Sequence, residues 1–436
     1  MKTFLFKQID NAPLIVFRIF FGFLITCESF GAIATGWVKT NLIDLKYTFP
    51  FIGFEWIKPL PENGMFYYFI LMGILGIFIM LGYYYRLAMI FYTILWAGVY
   101  FMQKTTYNNH YYLLLIISFF MIFLPANHFA SVDVKQGRIS KKFSMPHWIS
   151  LVFIIQIAIL YFYASIAKLY PDWLDGTFTK NLLSSSNLFP HFKNIFSKPW
   201  FYLFIAYAGI FFDFLIVPFL LFKKTRTLAL LSSLIFHLFN ATFLQIGIFP
   251  FFALSFSLFF YDPENIRSIF LKRKPKIEWS SNTENNFYGK NIVLHIFLPF
   301  LIIQSLLPLR HYLIKGDVLW TEEGHRLSWR MMLRERSGYI NIKIKDNNTN
   351  EVFIYNYNKD LTPYQAKNLA TKPDFIWQYC QRIKKEYAYK NISIYIDCKN
   401  SINRGEYKTL IDPKQDFTKA KWDYFFHNEW IILQPL

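Results

Sequence analysis

WISLVFIIQIAILYFYASIA, residues 148–167, is followed at once by Lys168 and LYPDW. A run of this length and apolarity suffices to cross a bilayer, where roughly 20 residues are needed. Lys168 at its end has two readings. It is an interfacial anchor whose ammonium snorkels to water, or a desolvated general base. The choice depends on what else reaches the same side of the membrane.

Similar runs recur from the first run outward. The chain has 436 residues, 54% of them hydrophobic and 21% aromatic. That load falls in blocks up to residue 308, and residues 309–436 read as an ordinary soluble domain. The fold class expected is a polytopic α-helical membrane protein of about nine spans over 1–308, with a small C-terminal α+β domain over 309–436. The spans fall at about 13–33, 66–84, 86–102, 111–125, 148–168, 200–222, 226–241, 245–261 and 292–308. Residues 226–261 read equally as two spans or one long bent helix. MKTFLFKQIDNAP lacks the pattern of a cleaved signal peptide, so the first run is expected to stay as a helix.

A net charge of +18 raises nucleic acid as a partner. The charge lies in loops between apolar runs, however, and the positive-inside bias accounts for it. Lys135, Arg138, Lys141 and Lys142 share a side with Lys223, Lys224, Arg226 and the 272–276 cluster. That side is read as cytoplasmic, with the N-terminus, and loops 34–65 and 169–199 and the C-terminal domain as extracytoplasmic. The lipid bilayer is the partner implied.

This topology gathers polar residues at the outer face. Asn108, Asn109 and His110 open the fourth span, Lys168 closes the fifth, and His237 and Asn240 lie three apart near the end of the seventh. Intramembrane polar groups are costly and usually face a protein interior. Each has a bland reading: His110 as a cap, His237 and Asn240 as interhelical glue, Arg18 and Glu28 as structural partners, Asp213 as ambiguous. The residues alone stop at a polar pocket. No metal-ligand spacing is visible among nine histidines and three cysteines.

Seven segments in register resemble the vitamin K-dependent gamma-glutamyl carboxylases and their bacterial homologues of the HTTM membrane-domain family. They are VFRIFFGFL (16–24), KTTYNNHYYL (104–113), ANHFASVD (126–133), ASIAKLYPDWLDG (164–176), FHLFNATFLQIGIF (236–249), LSWRMMLRERS (327–337) and IDPKQDFTKAKW (411–422). The resemblance implies an enzyme, a carbon–carbon lyase with epoxidase activity. It couples oxidation of reduced vitamin K (a menaquinol-type hydroquinone) by oxygen to carboxylation of peptidyl glutamate by carbon dioxide, without a metal. Lys168, in the K-L-x-x-D-W motif, is implied as the base toward the quinol, and His110 as the catalytic histidine. Asn109, His237, Asn240, Trp320, Ser328, Trp329, Met331 and Met332 are implied to line the substrate or cofactor pocket. The γ-hydrogen of glutamate is too weakly acidic for a side chain to remove, and the resemblance implies that quinol oxidation supplies the strong base. An apolar, water-free pocket suits that chemistry. A bacterial inner-membrane location and a Glu-containing peptide or protein substrate follow, with no nucleic acid. Quinol epoxidation without protein carboxylation, or non-catalytic quinone or lipid binding, are the alternatives.

In the soluble part, SGYINIKIKD (337–346) and EVFIYNY (351–357) around NNTN read as a hairpin, PDFIWQYCQRIKKEY (373–387) as a helix and ISIYID (392–397) as a strand. Animal members of the family extend beyond the position of Leu436, which puts their propeptide-recognition apparatus in doubt here. No cysteine lies in 34–65 to pair with Cys380, and pairing of Cys380 with Cys398 is left open.

Overall fold

A computed structural model describes residues 2–185, 193–244, 247–277, 289–331 and 333–434. The membrane part begins with helix α1 (Ala12–Ala34), where Pro13 supplies a pre-set φ and lacks only an N–H that would be unpaired anyway. It continues through α2 (Gly64–Leu81), α3 (Tyr85–Met102), α4 (Asn109–Phe123), α5 (Trp148–Ile166), α6 (Pro199–Leu221), α7 (Arg226–Leu244), α8 (Phe249–Ser255) and the long α9 (Lys290–Leu313).

Among the described residues, six helices are long and apolar enough to cross a membrane: α1, α2, α3, α5, α6 and α9. The expected nine spans are therefore not all matched by such helices. α4 has 15 residues, about 22 Å of helix against a hydrocarbon layer of about 30 Å. It begins at Asn109, two residues before the expected 111, because the Asn108 side chain caps it, accepting from the Tyr111 amide at 2.7 Å, and it ends at Phe123. The apolar helix Phe249–Phe259 is shorter still. α1 and α2 pack closely because Gly22 has no side chain: a Cβ there would fall 2.4 Å from the Met80 nitrogen.

Buried charges tie down the end of the bundle that carries the basic loops. Arg18 is fully buried, its guanidinium donating to the carbonyls of Ala126 (3.2 Å) and Ala130 (2.6 Å). Asp10 takes Lys274 and Arg267 as partners beside a two-stranded pairing of β1 (Gln8–Asp10) with β2 (Ser144–Pro146). Arg18 has the structural role expected, and so does Glu28, which accepts from the Tyr111 hydroxyl at 3.0 Å.

The C-terminal part has its own core. A sheet in the order β4-β3-β5-β6 is built from β3 (Arg336–Asp346), β4 (Val352–Ile354), β5 (Ile392–Ile402) and β6 (Lys408–Thr409). Ile340, Ile342 and Ile344 alternate inward and meet Phe375, Ile376 and Tyr379 of α11 (Pro373–Glu386). A further helix, α10 (Pro363–Thr371), opens on a capping box of Thr362 with Gln365. The expected hairpin and helix are present. β4 keeps only three residues, and β5 runs five residues beyond Asp397, because its polar end pairs with Arg336–Gly338 of β3. Cys380 and Cys398 are free, buried thiols, and Cys398 Sγ donates to the Ala370 carbonyl at 3.3 Å.

Candidate active site

Helix α5 carries Tyr161 and, just past its end, Lys168. Seven residues apart, they share a helix face about 10 Å from one another along the axis. Lys168 is 7% exposed. Its ammonium sits 2.5 Å from Asp213 Oδ2 of α6 and 3.1 Å from the Ala164 carbonyl. The ring of Trp173 covers it at 5.4 Å, held by its indole N–H on the Ala206 carbonyl at 3.0 Å. Gly209, one turn before Asp213, lies against the pair: a Cβ there would make ordinary contact with Trp173 at 3.5 Å and Lys168 Cε at 4.0 Å. The neighbouring acid of the same motif, Asp172, accepts from Asn403 of the outer domain at 2.8 Å. The lysine is thus enclosed, not extended into water.

Tyr161 leads to the histidines. Its hydroxyl is 3.0 Å from His237 Nε2 of α7. His237 is 1% exposed, and its Nδ1 has no hydrogen-bond partner among the described residues. The ring of Phe249 links it to His110, with centroids 6.1 Å from His237 and 5.2 Å from His110. Lys168, His237 and His110 therefore lie along one continuous path: Lys168, the Tyr161 face of α5, His237, Phe249, His110. Asn240 is half-buried one turn beyond His237. Below Tyr161, Ile157, Ile216, Leu220, Leu230, Ser233 and Phe256 line an apolar cavity.

The segment 327–331 roofs the far end of this path. Asn109 donates to the Arg330 carbonyl at 3.0 Å and receives the Tyr107 hydroxyl at 3.1 Å, while Tyr107 also accepts the Leu327 amide at 2.9 Å. Trp329 is fully buried, at positive φ, with its ring 4.9 Å from that of Tyr112 in α4. Ser328 is buried, donating to the Gly324 carbonyl at 2.6 Å, and Met331 packs on the membrane core. Trp320 lies in the outer domain's own core, its indole N–H bonded to the Ile432 carbonyl at 2.7 Å, away from the path. Met332 lies outside the described residues. Arg330 is 8% exposed, and among the described residues only His311 Nε2, at 3.3 Å, hydrogen-bonds its guanidinium. Burial, and then the nearby Arg334, lower its pKa to about 10.

Asp213 and Tyr161 complete the site and were not distinguishable from the residues alone. A carboxylate amid FFDFLIVP gives no hint of its partner, although its cost in an apolar run was the available signal. The roof is fastened by a second missed cluster. Asp374 of α11 binds Lys104 at 2.6 Å and Arg326 at 2.8 and 3.2 Å, all three largely buried. Burial would raise the Asp374 carboxyl, but Arg326 and Lys104 pull it down to about 2. Lys104 moves the other way, to about 8, because burial outweighs its share of that carboxylate. The two shifts disagree about the pair. Asp374–Arg326 is the bond that holds, and Lys104 is the surplus cation.

Residues 6–264 match the model of the HTTM domain, more than half of the chain. The chain belongs to the HTTM family. Residues 289–435 match the vitamin K-dependent gamma-carboxylase lumenal domain, so the two halves together make this HTTM protein gamma-carboxylase-like. It is an integral membrane protein whose C-terminal domain corresponds to a lumenal, topologically outside one. No solved structure matches it. Among the described residues no group of three or more His, Cys, Asp or Glu side chains could hold a metal ion.

Proposed function

We propose that this HTTM protein is a quinol-dependent gamma-glutamyl carboxylase in which Lys168 is the base toward the hydroquinone and His110 assists. The observation that carries the reading is the buried Lys168–Asp213 pair, on the path to His237 and His110 and beneath a carboxylase-type domain.

The pair explains how a buried lysine can act as a base. Moving one proton across the 2.5 Å contact, from Nζ to Oδ2, converts an ion pair into a neutral amine and a neutral acid. Net charge is unchanged, so the low-dielectric site imposes no new desolvation cost. The amine then has a lone pair to accept the quinol proton, and Asp213 holds the displaced one. The ring of Trp173 covers the ammonium and keeps water away.

The residues fit a lipid quinol. Tyr161, with the unpaired His237 Nδ1 beside it, suits a polar ring, and the apolar side chains of Ile157, Ile216, Leu220 and Phe256 adjoin it. When bound, the hydroquinone, oxidised by oxygen, supplies the strong base that removes the glutamate γ-proton, and carbon dioxide captures the carbanion. Arg330 has no carboxylate within ion-pair distance among the described residues and lies beside Asn109. It is placed to receive an anionic glutamate side chain entering under the roof. The C-terminal domain is then extracytoplasmic and the N-terminus cytoplasmic.

The test uses the full chain in lipid nanodiscs with vitamin K hydroquinone, labelled bicarbonate and a Glu-containing peptide. Label in the peptide with stoichiometric epoxide is expected. Epoxide without label makes the protein a quinol epoxidase, and neither product makes it a binding protein; either result overturns the carboxylase reading.

A further inference from the structure

Outside the site, the outer domain carries an apolar feature that its own core does not use. Phe425 and Phe426 are adjacent, 67% and 71% exposed. They are presented rather than splayed at random: Asp423 Oδ1 accepts both of their backbone amides, at 2.7 and 2.9 Å. The stem is fixed by Trp422, whose ring packs on those of Trp430 and Trp377. Asn428 closes the turn, accepting the Asp423 amide at 2.8 Å.

The turn also has a definite height. The Tyr424 hydroxyl donates to the Ile52 carbonyl at 2.9 Å, and the Phe51 amide donates to the Phe101 carbonyl at the end of α3. Tyr424 and Arg310, near the end of α9, line one cleft. The side chains nearest to that end of α9 are Tyr312 and Leu313, 63% and 84% exposed on a helix that crosses the membrane. Trp56 (77% exposed) and Leu60 lie in the segment that leads from Ile52 into α2.

We infer that the Asp423–Phe426 turn inserts its two phenylalanines into the membrane leaflet on the domain's side. Tyr424, beside the rings, shares a cleft with Arg310, which lies three residues before the exposed Leu313 at the end of a membrane-length helix, and this is why the occupant is lipid and not a second protein. Adjacent, largely exposed phenylalanines are unfavourable against water but suit the interfacial zone, where aromatic side chains collect. Such an anchor holds the mouth of the domain–membrane cleft at the bilayer surface. The inference does not depend on the catalytic assignment.

The experiment places single cysteines in a Cys27→Ser background, since Cys380 and Cys398 are buried. Phe426→Cys is labelled with an environment-sensitive fluorophore in nanodiscs of dibrominated phosphatidylcholine. Leu313→Cys serves as the lipid control, and Tyr389→Cys, at a position 77% exposed past the end of α11, as the water control. Label at 426 is expected to be quenched by brominated lipid as at 313 and shielded from aqueous iodide. Quenching like that at 389 overturns the inference. So does shielding that appears only with a Glu-containing peptide, or label–label excimer emission between two copies.

Discussion

Lys104→Met and Asp374→Asn should have opposite effects on stability, although the two residues touch. Asp374 is 3% exposed and its carboxyl stands at about 2 against an ordinary 3.8. That difference is worth about 2 kcal/mol at neutral pH. Asp374→Asn also leaves Arg326 and Lys104 buried without their acid, so the loss should be about 3–5 kcal/mol. Lys104 is 1% exposed and stands at about 8 against 10.5. Holding it charged costs about 3 kcal/mol on the same scale. Lys104→Met removes that cost while Arg326 keeps Asp374 paired, so its effect should lie between neutral and stabilising. The pH dependence separates the partners further. Because the Asp374 carboxyl is depressed, its contribution is present above the unfolded value near 3.8 and is lost as pH falls through about 2. Because the Lys104 ammonium is depressed, the folded form sheds its proton first. The natural protein should therefore gain stability as pH rises from about 8 to about 10.5, and Lys104→Met should lose that gain. The assay is thermal unfolding in nanodiscs, in the Cys27→Ser background, read by thiol labelling of Cys380 and Cys398, which react only when the outer domain's core opens. A Lys104→Met protein as unstable as Asp374→Asn would refute the argument that Lys104 is the surplus cation.

Lys168→Met and Asp213→Asn each strand a buried partner, so each should lower stability by about 3–5 kcal/mol. The double variant Lys168→Met/Asp213→Leu should recover the fold and form no epoxide, and epoxide from it would remove Lys168 from the chemistry. His110→Ala should reduce turnover far more than unfolding temperature, since its contacts are with the rings of Tyr111 and Phe249. Equal losses in both would make it a structural histidine. Tyr161→Phe deletes one hydrogen bond to His237, so it should cost about 1 kcal/mol of stability. It should also raise the KM for quinol while sparing that for peptide; a change confined to the peptide would place Tyr161 outside the quinol site.

Much of the site was legible because its residues lie in unfavourable places. A lysine ending an apolar run, and histidines within or at the start of others, are visible without coordinates because polar groups in lipid carry a cost. Trp329 and Ser328 were legible only through the family resemblance, and Trp320, picked out the same way, proved to be a core residue of the outer domain. Asp213 was seen but could not be interpreted, and Lys104 lay unremarked inside a quoted motif, because an ion pair is a fact about two segments. The same applies to α4. Its apolar run is plain in the sequence, yet where its helix begins depends on the Asn108 cap.

By itself the sequence determined that the long apolar runs form helices within a membrane and that the polar C-terminal part folds around an alternating sheet. Both follow from local periodicity and composition, which act within a single segment. Only the tertiary structure decided that Lys168 meets Asp213, that Phe249 bridges His237 and His110, and that Asp374 fastens the outer domain to the membrane part. The two ion pairs join residues 45 and 270 positions apart, and Phe249 reaches 139 positions back to His110. Nothing in a one-dimensional pattern ranks such partners; close packing and the need to neutralise buried charge select them.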